Sequence, residues 1–233
     1  RRLVLAARIA GRDRALKAGE YAFGPGMTPD EVLRLLEQGT VVLHPVTVAE
    51  GLTVAEVFAL LAESPVLSGD LPPPPPEGSL LPETYLVPRE EPRARLVSRM
   101  RADMAAALER AWAGREPDLP LRSPEEVLIL ASIIEKETAV ADEYPLVAAV
   151  FVNRLRKGMP LQTDPTVIYA LTEGEGPLGR AVTRRDLEVD HPYNTYRNPG
   201  LPPGPIANPG RGAIEAAVRP ADVDYLYFVA DGT

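Results

Sequence analysis

Two glutamates at the end of an apolar run are the first candidates for acid–base catalysis. Glu135 and Glu137 follow the run VLILASII at 127–134. On an α-helix, Glu137 lies three and four positions after Ile134 and Ile133 and shares their apolar face, whereas Glu135 is rotated from it by about 200°. A carboxyl group on a buried face has a raised pKa and can act as a general acid, for instance in cleaving a glycosidic bond. The alternative is that both carboxylates are solvated charges at an exposed helix end.

A second carboxylate, Asp164, lies in the turn-like stretch QTDPT at 162–166. In one interpretation Glu137 is the acid and Asp164 is the nucleophile or base of a glycosidase that uses two carboxylates. In the other, Asp164 caps the helix predicted for TVIYAL, and the spacing alone favours this interpretation. Ser132 has no histidine near it in the sequence, which gives little support to a Ser-His-Asp hydrolase.

The stretch PYNTY at 192–196 combines flat amphipathic rings with amide donors, a mixture that suits the faces and hydroxyl groups of sugars. Tyrosine and asparagine are also ordinary residues of turns. The surrounding segment, 191–210, is rich in proline, glycine and asparagine, and long structured loops of this kind are often functional.

The composition narrows the kinds of chemistry and partner. The chain has no cysteine, so thiolate nucleophiles, disulfides and cysteine zinc sites are excluded. Its two histidines, His44 and His191, are far apart in the sequence, and we expect neither a metal nor a cofactor. No phosphate-cradling glycine loop is present. A net charge of −8 disfavours nucleic acid as a partner.

The first part of the chain contains a repeated pattern. The motif G-x-T-x-x-E-V-x-x-L-L occurs in the segments 26–38 and 51–63. Each copy predicts a helix that starts with a capping box, formed by Thr28 with Glu31 and by Thr53 with Glu56. Strand-like pieces precede the two helices, EYAF at 20–23 and HPVTVAE at 44–50. We therefore predict a small α+β module in which two strand–helix units pack on each other.

The rest of the chain is predicted to be mainly helical. Five consecutive prolines in LPPPPPEG, 71–78, indicate a boundary or a surface excursion. Helical patterns then cover 92–114, the segment after the Ser123 cap, 144–158 with basic residues in its last turn, and 212–221, and a strand is predicted at YLYFVAD, 225–231. The predicted organisation is two regions, 1–88 and 89–233.

Four ordered motifs resemble one known family. They are LASIIEKETAV, VFVNRLRKGMPLQTDPTVIYAL, the YNTY and GLPPGPIANPG parts of one loop, and the terminal YLYFVADG. Together they closely resemble the endolytic murein transglycosylase family, also called the YceG-like family, of bacterial cell envelopes. KAGEYAFGPGMT, EGLT and EGSLLPETY in the first half agree with that family as well.

The resemblance implies an α+β fold: a small LysM-like region over 1–88 that binds peptidoglycan, then a mainly helical, lysozyme-like transglycosylase domain with a few strands. It also implies a single catalytic glutamate, which by its position in the EKET motif is Glu137, with Glu135 as a supporting neighbour. That glutamate would cleave the bond between N-acetylmuramic acid and N-acetylglucosamine and leave 1,6-anhydro ends on nascent strands. The residues expected along the glycan cleft are Gln162, Thr163, Asp164, Tyr193, Asn194 and Thr195.

The family also implies a place in the cell and partners. Its members carry an N-terminal anchor that passes once through the cytoplasmic membrane, with the catalytic domain outside, and they continue beyond the VADG stretch. Because this chain begins with Arg1, we expect it to be an excised piece without that anchor. The expected partners are peptidoglycan glycan strands and, with them, peptidoglycan synthases. Two alternatives stay open, a non-catalytic peptidoglycan-binding module and a hydrolytic muramidase with two carboxylates.

Overall fold

The computed structural model describes residues 7–9 and 11–228. Its α-helices are α1 (Pro29–Gln38), α2 (Val54–Glu63), α3 (Arg93–Ala113), α4 (Pro124–Glu137), α5 (Tyr144–Arg156), α6 (Asp164–Thr172) and α7 (Arg211–Val218). The strands are β1 (Leu43–Thr47), β2 (Leu67–Ser68), β3 (Thr84–Pro88) and β4 (Glu91–Pro92), where β1 pairs antiparallel with β3 and β2 pairs parallel with β4. This mixture of much helix and little sheet confirms the predicted α+β class.

The helix starts follow from local side-chain chemistry. Both predicted capping boxes form: Thr28 and Thr53 each accept a hydrogen bond from the third helical N–H, and the glutamate at that position reaches back to the cap. Ser123 caps α4 by accepting a bond from the backbone N–H of Glu126 at 3.3 Å. Such a cap contributes about 1 kcal/mol, because it pairs N–H groups that have no partner within the helix. None of the helices in the described part of the chain combines the length and the apolar composition of a membrane span.

A small apolar cluster lies between the β1–β3 ribbon and two helices. Tyr85 and Val87 point inward from β3 and are almost fully buried, whereas Leu86 between them is exposed, as the alternation of a strand requires. The members contributed by α2 and α3 are Val54, Val57, Leu61, Leu96, Val97 and Met100.

Helix α3 contributes to this cluster, called here the ribbon cluster, and also to a second and larger apolar cluster, the helical core. Its first half contributes Leu96 and Met100 to the ribbon cluster, and its second half contributes Met104 and Ala111 to the helical core. The division of the chain at residue 88 stays a prediction, and the long helix that follows it packs in both clusters.

Helix α4 is the centre of the larger core. Every residue from Ile129 to Ile134 is buried, and α3, α5 and α7 pack around it. A helix that is apolar on all sides belongs in the interior of a domain. Glu135 and Glu137 lie in the last turn of this central helix, at its C-terminal end.

Two predicted strands are corrected. Residues 20–23 form no strand, and β1 pairs with β3. In the described chain no residue of α1 belongs to the ribbon cluster. Residues 225–228 are also not a strand, since side chains of α5 bind the carbonyls of Val223, Tyr225 and Leu226 that a ladder would use. The remainder of that prediction, 229–231, lies outside the described residues.

Candidate active site

Glu137 is the last residue of α4, and its carboxyl group is partly buried. One carboxylate oxygen, Oε2, accepts a hydrogen bond of 2.6 Å from the hydroxyl of Thr163. Burial raises the pKa of Glu137, and the negative charge of Asp164 raises it further, while the Thr163 hydrogen bond and the charge of Arg154 act in the opposite direction. Among residues 7–9 and 11–228, no group donates a hydrogen bond to the other oxygen, Oε1. The arrangement suits a general acid, which must hold a proton near neutral pH and present it on an unoccupied oxygen.

Glu135 has a different environment, although it lies only two residues away. Its Oε1 accepts a 2.7 Å bond from the Tyr144 hydroxyl, and its Oε2 accepts a 2.9 Å bond from the backbone N–H of Gly210. Burial, and then the bond to Glu135, raise the pKa of Tyr144. Since both oxygens are occupied, Glu135 fastens the end of α4 to the starts of α5 and α7.

Residues 162–165, called here the QTDP turn, lie at the start of α6 and face Glu137. Gln162 has a left-handed backbone with φ 50°, and Thr163 is the N-cap residue. Asp164 does not cap this helix, so that prediction is wrong, because the residue is itself the first of the helix and follows the cap position. Its Oδ1 instead accepts a 2.6 Å bond from the hydroxyl of Tyr196. Asp164 and Glu137 are therefore close enough to interact electrostatically, but each accepts its hydrogen bond from a different residue.

The remaining predicted site residues, Tyr193, Asn194 and Thr195, lie in the loop at 191–198 and have different partners. Thr195 packs against the QTDP turn, where its hydroxyl accepts a bond from the backbone N–H of Thr163. Asn194 is fully buried, and its amide nitrogen donates to the carbonyls of Leu187 and Val189 at 3.0 and 2.8 Å, so it folds the loop. Tyr193 packs against Tyr169 of α6, with 4.7 Å between the ring centroids and 39° between the ring planes.

Two further residues hold the site: Arg154, which was not identified from the sequence, and Tyr196, which was considered only as one of the two rings of PYNTY. Arg154 of α5 is only 8% exposed and donates to the carbonyls of Leu161 and Leu226 at 2.6 and 2.7 Å. Tyr196, the last residue of PYNTY, holds Asp164. The only signal for Arg154 was a charged side chain within an apolar helix, and that signal is shared with ordinary basic residues near a helix end.

The EGLT loop between β1 and α2 lies against the end of α4. Lys136 donates to the carbonyl of Gly51 at 3.1 Å, and the Gly51 N–H donates to the carbonyl of Asn208 at 3.0 Å. The hydroxyl of Thr53 donates to the carbonyl of Gly174 at 2.6 Å. These contacts bind the EGLT loop to the helix that carries Glu137, to the residue that precedes α7 by three positions and to the end of α6.

The raised pKa of Glu137 predicts a pH-dependent effect on stability. Because the folded-state pKa lies above the ordinary value, the folded protein binds the proton more tightly, and stability is lost as the pH rises through the raised pKa. We expect Glu137→Gln, which carries no charge, to have a higher Tm than the wild type at pH 8 and to lose this advantage below the ordinary glutamate pKa. Thermal unfolding of both proteins from pH 4 to 8 measures it, and a gap that does not change with pH would contradict the assigned burial of this carboxyl.

Comparison with known proteins agrees with these motifs. The family described as the YceG-like family matches residues 1–233. The endolytic murein transglycosylase of Bacillus subtilis (strain 168) is 52% identical over 108 residues, which are 46% of this chain and 29% of that protein. The endolytic murein transglycosylase of Streptococcus pneumoniae serotype 2 (strain D39) is 31% identical over 266 residues, which cover 94% of this chain and 47% of the relative. The chain therefore spans about half or less of the length of these relatives.

A solved structure shares the fold. The crystal structure of a YceG-like protein from Listeria monocytogenes superposes with a TM-score of 0.68 at 31% identity, covering 98% of this chain and 84% of that one. The family match extends over the whole sequence, and the EKET helix and the QTDP turn, two of the motifs that suggested it, meet in space through Glu137 and Thr163. The chain belongs to the YceG-like family.

Proposed function

We propose that this protein is a lytic transglycosylase that cuts peptidoglycan glycan strands internally, between N-acetylmuramic acid and N-acetylglucosamine. The observation that carries the proposal is Glu137, a partly buried carboxyl group with a raised pKa, whose Oε2 is held by Thr163 and whose Oε1 accepts no hydrogen bond from the residues that the structure describes. The two relatives named endolytic murein transglycosylase support the choice of reaction and substrate.

In the first step, protonated Glu137 gives its proton to the oxygen of the glycosidic bond. The bond to C1 of N-acetylmuramic acid breaks, and N-acetylglucosamine leaves with a free hydroxyl group. Positive charge develops at C1 and the ring oxygen, next to the glutamate that is now a carboxylate. General-acid catalysis of this kind contributes about 10²–10⁴-fold to a rate.

In the second step, the Glu137 carboxylate takes the proton of the muramyl C6 hydroxyl while that oxygen attacks C1. The product is a 1,6-anhydro ring, Glu137 is protonated again, and no water is consumed. A group that acts as acid and then as base needs a pKa close to the working pH, which is the direction in which burial moves the pKa of Glu137.

Asp164 is not required as a nucleophile in this mechanism, because the sugar supplies its own. Its proposed role is electrostatic, since its charge raises the pKa of Glu137 while its Oδ1 binds Tyr196. The same proximity favours a second candidate, a hydrolytic muramidase in which Asp164 is the second carboxylate. That enzyme would need Asp164 for turnover and would leave reducing muramyl ends.

The wider roles come from the family. We propose that Gln162, Asp164 and the 191–210 loop border the glycan cleft, and that residues 1–88 are a LysM-like region that binds peptidoglycan. The full-length protein would be anchored once in the cytoplasmic membrane, with this domain outside, near the synthases that supply nascent strands. The third interpretation, a binding module without activity, would retain peptidoglycan binding by residues 1–88 and lack the chemistry.

Digestion of purified glycan strands tests the proposal. Strands treated with the wild type should become shorter by internal cuts, and strands treated with Glu137→Gln should not. Sedimentation of both proteins with insoluble peptidoglycan measures binding separately from cleavage. Binding without any shortening by the wild type would favour the non-catalytic module and contradict the proposed activity.

A further inference from the structure

We propose that Thr163 and Thr195 are positioning residues, and that they fix the proton of Glu137 on a single oxygen, Oε1. The inference rests on the proposed function for its role in turnover, although its geometric content concerns Glu137 alone. The family resemblance suggested that both threonines contact the glycan. Their burial and hydrogen bonds point to a different role.

All three threonines around the QTDP turn are hidden from solvent. Thr163 is 2% exposed, Thr166 is 0% exposed and Thr195 is 1% exposed. Their hydroxyl groups lie within 2.8 Å or less of protein oxygen atoms. Because these side chains are almost fully buried, their hydroxyl groups order the protein structure around the turn.

The direction of each hydrogen bond follows from the fact that a hydroxyl has only one proton. Thr166 donates its proton to the carbonyl oxygen of Thr163 at 2.7 Å, because a carbonyl can only accept. In its 2.8 Å contact with Thr195, Thr166 must therefore accept, and Thr195 is the donor. Thr195 then accepts the backbone N–H of Thr163 at 3.2 Å. The network holds Thr163 through both its N–H and its carbonyl group.

The hydroxyl of Thr163 donates to Oε2 of Glu137 at 2.6 Å, its one acceptor in the described part of the chain. If the carboxyl proton were on Oε2, the Thr163 proton would lose this acceptor in a buried site, at a cost of about 1–3 kcal/mol. The proton therefore belongs on Oε1. That is also the oxygen without a protein donor among residues 7–9 and 11–228.

The backbone of the turn is fixed by the same segments. Gln162 adopts φ 50°, and its N–H donates to the carbonyl of Thr195 at 3.2 Å. Arg154 holds the preceding carbonyl, that of Leu161, at 2.6 Å. Threonine has a restricted χ1 angle, so a fixed backbone places its hydroxyl in a defined position. The result is a carboxyl group that can give and take its proton only on the side of Oε1.

The hydrogen bond also strengthens when Glu137 loses its proton, because a bond to an ionised acceptor is roughly twice as strong as a neutral one. Thr163 therefore stabilises the carboxylate that forms after protonation of the leaving group, and it keeps the pKa of Glu137 from rising as far as burial alone would take it. The charged or titratable groups that face Glu137 are Asp164 of α6, Arg154 of α5 and Tyr196 of the loop, and all three remain in the variants described next.

Titration of the Glu137 carboxyl carbon by NMR tests the inference without any need for turnover. Protein labelled with ¹³C at the glutamate carboxyl is titrated, and the resonance missing from Glu137→Gln identifies residue 137. We expect Thr163→Val to raise the midpoint of Glu137, Thr195→Val to raise it less, and Thr163→Ser, which restores the hydroxyl, to return it to the wild-type value. Thr172→Val is the matched control, because Thr172 lies on the same helix and donates to its own helix at the carbonyl of Ile168.

Kinetics separate positioning from substrate contact. Thr163→Val should lower kcat by about tenfold with KM within about twofold of the wild type, since an interaction with the catalytic group alone does not bind substrate. Thr163→Ala takes its place if the valine variant does not fold. A midpoint that stays unchanged or falls would overturn the inference even if activity were lost, and a raised KM with unchanged kcat would return Thr163 to substrate binding. If no variant or wild type cleaves strands, the proposed function fails, while the titration still decides the role of Thr163.

Discussion

Glu137→Gln is expected to lower the rate of strand cleavage by about 10²–10⁴-fold, the range that a positioned general acid contributes. The amide has nearly the shape of the carboxyl group and can still accept the bond from Thr163 through its oxygen. It cannot donate a proton to the glycosidic oxygen or accept one from the C6 hydroxyl, so both proposed steps fail. The measurement is the initial rate of shortening of purified glycan strands, compared with binding to insoluble peptidoglycan, which should be unchanged.

Two other glutamates of α4 make the comparison specific. Glu125 lies exposed in the first turn of the helix, and Glu125→Gln should leave the rate unchanged. Glu135→Gln removes the negative charge of a carboxylate whose two oxygens accept bonds from Tyr144 and Gly210. It should therefore lower the stability of the protein more than the rate of cleavage. If Glu135→Gln abolished cleavage and Glu137→Gln did not, the assignment of the acid would move to Glu135.

Arg154→Leu is expected to lower the free energy of unfolding by about 3–5 kcal/mol. The guanidinium binds the carbonyls of Leu161 and Leu226, and hydrogen bonds to charged groups contribute about 1.5–3 kcal/mol each. Leucine fills part of the space but leaves two carbonyls without their donor, that of Leu161 in the buried interior and that of Leu226 in a partly exposed segment. For a chain of this size each kcal/mol corresponds to about 2–4 °C in Tm. Thermal unfolding should therefore occur about 10 °C lower, with loss of cleavage because the QTDP turn is no longer held.

Arg101→Leu is the control for that prediction. Arg101 is an exposed arginine on α3, and its loss should change Tm by no more than about 2 °C. Arg154→Lys should recover only part of the stability, since an ammonium group cannot reproduce the fork of N–H groups that reaches two carbonyls. Equal stability of Arg154→Leu and the wild type would mean that the two carbonyl bonds contribute nothing.

The helices were predictable because their signals are local. Thr28, Thr53 and Ser123 cap free N–H groups a few residues away, and a cap is readable from a short stretch of sequence. Strand pairing depends on distant residues instead. The EYAF segment resembled a strand, yet β1 pairs with β3, about 40 positions further along the chain, which the local pattern could not indicate.

The candidate site was predictable in part for the same reason. The face of α4 that carries Glu137 follows from helical periodicity, whereas its contact with Thr163, 26 residues later, depends on how α4 and α6 pack. Arg154 resembled a basic residue at a helix end, and only the folded chain brings the carbonyls of Leu161 and Leu226 to it. Asp164 had the sequence position of a helix cap and is instead the partner of Tyr196.

Whether one glutamate acts twice and the sugar attacks itself can be measured from the mass of the new strand ends after cleavage in H₂¹⁸O. The mechanism predicts 1,6-anhydro-muramyl ends that are one water lighter than reducing ends and contain no ¹⁸O. Reducing muramyl ends that carry ¹⁸O would show that water is the nucleophile. That result would exclude attack by the C6 hydroxyl and return Asp164 to the role of a catalytic carboxylate.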